Sequence, residues 1–161
     1  MTHRLSTFIA FAFLAAFAVF LAFFIYIAPV HAQPRHYGKS IEINSPGGRL
    51  EEFFAKRRFM VANHITPRLR VCESVCTIFL SVPGACVYPD SLLGFHQAYS
   101  GMMQPDGHIV IDSVFPQGTI QMWDRLPGVV KQIVGWPMPE PPGMKMVRGS
   151  QLIQAGYPAC S

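Results

Sequence analysis

The stretch "VCESVCTIFL", residues 71–80, sets Ser74 between Cys72 and Cys76 and then runs into an apolar tail. Three chemistries fit these letters: two thiolates of a metal site, a disulfide around a turn, or a serine nucleophile on a strand-to-helix elbow. A structural zinc site asks for two close pairs of ligands. Cys72 and Cys76 make one pair, while His64, His96 and His108 stand singly along the chain. No metal and no cofactor is therefore expected. The disulfide reading depends on compartment, because thiols stay reduced in the cytosol and pair in oxidising spaces.

The start of the chain bears on the compartment. "MTHRL" supplies positive charge, an uncharged apolar run extends from Phe8 to Val30, and "VHA" at 30–32 carries the small-residue pattern of a cleavage site. A cleaved signal has an apolar core of about 7–15 residues, and a membrane span needs about 20. The run of 23 residues keeps two alternatives open. Residues 1–32 are a signal peptide, or residues 8–30 are a transmembrane helix anchoring the protein to the inner membrane, with Arg4 on the cytoplasmic side. Both put residues 33–161 outside the cytoplasm, periplasmic or secreted, with membrane contact only through the retained segment.

The net charge of +4 comes from scattered residues such as "KRR" at 56–58, Arg68 and Arg70. Without interleaved aromatics this reads as a solvated face, not a nucleic-acid patch. Cys72, Cys76, Cys86 and Cys160 allow three complete pairings, and the sequence selects none of them. Cys72 and Cys76 either pack beneath the elbow or form a disulfide. Cys86 is a candidate partner for either, and Cys160 is expected free or paired late.

Working outward, "KSIEINSPGG" reads as a strand into a Ser-Pro-Gly-Gly turn. Residues 49–62 read as a helix with Leu50, Phe53, Phe54 and Val61 on one stripe, and Glu51 and Glu52 suit its first turn. "ITPRLRVC" returns as a strand, Val75 to Val82 as a buried helix, and "LLGFHQA" at 92–98 as a strand. "QPDGHIVIDSVF" reads as a hairpin. Thr119 is expected to cap a helix reaching Val134, kinked or split at Pro127, and "SQLIQAG" to form a short helix ended by Gly156. Strands alternating with helices make a single α/β domain over 33–161.

"INSPGG" at 43–48, Ser74 some 26 residues on, and "GFHQ" with His96 a further 22 residues on come in a telling order. The set resembles the Clp protease proteolytic subunit, and more closely the exported Clp-like proteins of the crotonase superfold. The resemblance runs from about Lys39 to Gly156. It implies a crotonase-like spiral of ββα units, with Ser74 as nucleophile and His96 as base on its strand. It also implies backbone amides of Gly48 and Val75 as an oxyanion hole, and a peptide or protein segment as substrate. Ser74 at the start of a buried helix fits that chemistry, since free N–H groups there favour an oxyanion.

Two departures stand out. The triad aspartate of that family falls on Gly143 here, and Glu140 is the nearest candidate for the third residue, ahead of Asp112 and Asp124. The family fold also begins with a further strand and helix, so this domain is small or truncated at its N-terminus, with an edge left open or supplied by a partner. A homo-oligomer is a further implied partner, although truncation weighs against a closed ring. Two function classes follow: an exported serine hydrolase of peptidase-like type, or a catalytically degenerate relative that keeps only a peptide groove.

Overall fold

The computed structural model describes residues 38–104, 106 and 109–161. Contacts divide the chain after Pro34, and all of these residues belong to the unit Arg35–Ser161. The signal-peptide and anchor alternatives for residues 1–32 lie outside the described residues. Among the described residues no helix is long and apolar enough to cross a membrane.

Four strands form a mixed sheet in the order β1-β2-β3-β6. β1 (Lys39–Ser45), β2 (Ile65–Glu73) and β3 (Cys86–Phe95) run parallel, and β6 (Lys145–Arg148) is antiparallel to β3. Parallel neighbours require crossovers. Helix α1 (Leu50–Ala62) makes the first, and a 3-10 helix (Ser74–Ser81) makes the second. β1 pairs only with β2 among the described residues, so it is an edge strand. The α/β class stands, and the mixed sheet adds a strand at 145–148 that the sequence had not signalled. "KMVR" buries only Val147, so no alternation betrays it.

The inner face of the sheet presents Ile43, Leu69, Val87, Leu93 and Val147, all buried. The 3-10 helix lies in this core, with every residue from Val75 to Leu80 buried. Each large apolar side chain there contributes about 1.5–3 kcal/mol. The buried helix expected here is present, and its tight 3-10 winding has a visible correlate. Thr77 Oγ1 donates to the Ser74 carbonyl (2.7 Å) and Ser81 Oγ to the Ile78 carbonyl (2.6 Å), both reaching back three residues. Phe79 meets Phe53 of α1 at 5.4 Å between ring centres. On α1 the buried pair is Phe53 and Met60, seven positions apart, whereas Val61 is 37% exposed. The expected stripe therefore holds at Phe53, with Leu50 and Phe54 half-buried against the core, and fails at Val61.

β4 (Tyr99–Met103) and β5 (Ile109–Val114) form the antiparallel hairpin expected from "QPDGHIVIDSVF". The helix after it starts at Pro116, where a missing N–H is harmless, so Thr119 lies inside α2 (Pro116–Arg125) and does not cap it. Pro127 does split the segment, and α3 spans Gly128–Val134. Helix α4 (Gly149–Gln154) is followed by Gly156 at φ +97°. The C-terminal segment then returns along β3: Cys160 N–H donates to the Val87 carbonyl (2.9 Å), and Val87 N–H to that of Pro158 (3.1 Å).

Candidate active site

β2 delivers an extended chain as far as Glu73 (φ −113°, ψ 157°). At Ser74 the backbone turns to φ +57°, in the left-handed region, and the 3-10 helix begins. For a residue with a Cβ this conformation costs about 1–3 kcal/mol, so the surroundings must impose it. Part of that imposition is steric. A Cβ at Gly47 would stand 2.7 Å from Ser74 Cβ and 2.9 Å from the Glu73 carbonyl oxygen, and Gly47 itself has φ +95°. Only glycine lets the turn after β1 close onto the elbow.

His96 is the first residue beyond β3, which ends at Phe95, and not a strand residue as expected. Past Phe95 the backbone leaves the sheet for other partners. Gln97 N–H donates to the Pro139 carbonyl (2.8 Å), and the Gln97 side-chain amide to that of Met138 (2.9 Å). Ala98 N–H donates to Thr119 Oγ1 (2.9 Å), and its carbonyl accepts from Phe115 N–H (2.7 Å). This is what Thr119 does in place of capping. The His96 ring, 5% exposed, sits 5.5 Å from the Tyr99 ring.

Nδ1 of His96 lies 2.6 Å from the Gln97 carbonyl oxygen. A carbonyl only accepts, so Nδ1 carries the hydrogen, and in the neutral ring it is Nε2 that holds the lone pair. Neither Nε2 nor the Ser74 hydroxyl hydrogen-bonds a protein group among the described residues.

Ser74, His96, Gly48 and Val75 line one cleft of about 840 Å³. Leu50, Ala98 and Met122 give it apolar walls, Met102 and Ile109 of the hairpin border it, and Arg49, Glu51 and Asp112 bring charge to it. The Gly48 amide has no backbone partner among the described residues. The Val75 amide, second in its helix, has no carbonyl behind it within that helix. The four candidate residues are thus brought together. Glu140 is not: it is exposed and outside the cleft lining, and its carbonyl accepts from Gly143 N–H in a local turn (2.8 Å). Asp112 reaches the cleft wall although exposed, and Asp124 does not.

Cys72 and Cys76 are bonded to each other and fully buried, which removes the metal alternative. Cys86 pairs with Cys160, so Cys160 is not free and Cys86 is not a partner for the elbow cysteines. The return of the C-terminal segment along β3 makes that pairing, and nothing local in the sequence reports it. Gly47 and Gln97 are site residues that the sequence reading passed over. The first was open to inspection in "SPGG"; the second acts through contacts 41 residues away. Compared with known proteins, the chain matches no family model and no curated sequence.

Proposed function

We propose that the chain is an exported serine hydrolase of peptidase-like type on a crotonase-like, Clp-type fold. The observation that carries the reading is φ +57° at Ser74, on a strand-to-helix junction whose cleft also holds His96. A strained serine at such a turn presents its Oγ outward for attack. In the scheme, His96 Nε2 takes the Ser74 proton as Oγ bonds to a substrate carbonyl carbon. The charge formed on the carbonyl oxygen meets the amides of Gly48 and Val75, each such donor being worth about 10²–10³ in rate. Collapse expels the leaving group, which receives the proton from the imidazolium, and water then releases the acyl group by the same route. The Gln97 carbonyl holds the ring in the tautomer that a carboxylate would otherwise select.

The chemistry uses no cofactor. A cleft with apolar walls, bordered by the hairpin, favours a peptide or protein segment as substrate. Two disulfides favour an oxidising location, periplasmic or secreted, whether or not the N-terminal segment anchors the protein to a membrane.

The test is labelling of the full chain by a fluorophosphonate probe. Wild type should react, and Ser74→Ala and His96→Ala should not; labelling retained in both variants overturns the assignment. A second reading, a peptide-binding protein without chemistry, is favoured by the lack of a carboxylate at His96 among the described residues. Capture of extended peptides by a protein that never reacts with the probe would support it.

A further inference from the structure

We infer that the disulfide Cys72–Cys76 is a positioning device for Ser74, holding the left-handed elbow on which the serine sits. Its catalytic consequence rests on the hydrolase reading; its conformational claim rests on geometry alone. The bond closes around residues 73–75 with Ser74 at the centre, and it brings the two Cα atoms to 5.3 Å. Extended, the same four peptide units would span about 13 Å, so the chain between them has to reverse. Both anchors are rigid. Cys72 pairs with Ser45 and Leu93 in the sheet, Cys76 lies in the 3-10 helix, and neither is exposed. The reversal falls on Ser74 at φ +57°, since Glu73 before it is still extended. A serine released from such closure relaxes to negative φ, because its Cβ crowds the following carbonyl oxygen. Neither cysteine lines the cleft, so the bond acts through Ser74 and not on a substrate. Cys86–Cys160 also lies outside the cleft lining and joins β3 to the chain's end, which makes it the matched control.

The experiment follows backbone carbon chemical shifts of Ser74, which report its φ, together with the rate of fluorophosphonate labelling, in the full chain. In C72A/C76A the unfolding transition should stay cooperative, Ser74 should leave the left-handed range, and labelling should slow by about tenfold or more, the effect of ~1.4 kcal/mol. C86A/C160A should keep the Ser74 signature and a labelling rate within about twofold of wild type. A folded C72A/C76A with Ser74 still left-handed overturns the inference. Should that variant not fold, C86A/C160A, which retains only the elbow bond, decides. Reduction and re-oxidation should remove and restore the Ser74 signature within a folded protein. Global unfolding on reduction would assign the bond to overall stability and overturn the positioning role. A wild type that never labels, with Ser74 shifts that still follow the disulfide, defeats the hydrolase reading and leaves this one standing.

Discussion

Nδ1 of His96 and the carbonyl oxygen of Gln97 are 2.6 Å apart, a contact between consecutive residues that fixes which ring nitrogen is free. The contact depends on the backbone of Gln97, which is tied to the 138–139 loop through both its amide and its side chain. Gln97→Ala removes the side-chain tie, worth about 0.5–1.5 kcal/mol, and should slow labelling up to about tenfold. Glu140→Gln should change the rate by less than about twofold, because an exposed carboxylate outside the cleft contributes little. A large loss in Glu140→Gln would show that the loop swings to the imidazole.

Gly47 and Gly156 both have positive φ and should respond differently to alanine. At Gly156 nothing lies within 4 Å of a new Cβ, so only the backbone cost applies. That cost is about 1–2 kcal/mol in a denaturation curve, with labelling unchanged. At Gly47 the new Cβ meets Ser74 at 2.7 Å. Displacing a nucleophile on that scale costs about 10²-fold, so labelling should fall far more than stability does.

The Cys86–Cys160 bond closes a loop with a sequence separation of 74. Loss of a native bond of this kind costs about 2–5 kcal/mol. Urea denaturation of C86A/C160A should show that loss as a lower midpoint.

Tyr157 donates its phenol to the Leu80 carbonyl (2.6 Å) at the end of the 3-10 helix. Burial pushes its ionisation well above the ordinary value of 10.0. Above that value the unfolded chain loses the proton while the folded chain keeps it, so stability falls as pH rises past it. Tyr157→Phe should cost about 1 kcal/mol at neutral pH, from the unpaired carbonyl. It should also lessen the loss that sets in as pH rises past about 10, measured by denaturation midpoints.

The parallel strands, α1, the split at Pro127 and the short last helix were legible because each has a local signal: alternation, first-turn acids, a proline, a stopping glycine. β6 was not, since a four-residue edge strand burying one side chain has no period to detect. At the site, Ser74, His96, Gly48 and Val75 were named from the order and spacing of motifs that resemble the Clp-like family, and the fold brings all four to one cleft. Glu140 was named from proximity in sequence, and an irregular loop carries no information about where a side chain arrives.

The order of residues by itself determined most of the element sequence and marked Ser74 and His96 as candidates, because these depend on near neighbours and on spacing. Only the tertiary structure decided the disulfide partners, the group that orients His96, and the glycine that braces the elbow. Cys72–Cys76 spans only four residues, but its letters fit several pairings; the others are contacts between segments far apart in the chain or with a backbone atom that no side-chain letter encodes. The serine between two cysteines was readable; that they are bonded across it, with φ +57° at its centre, came from the folded chain.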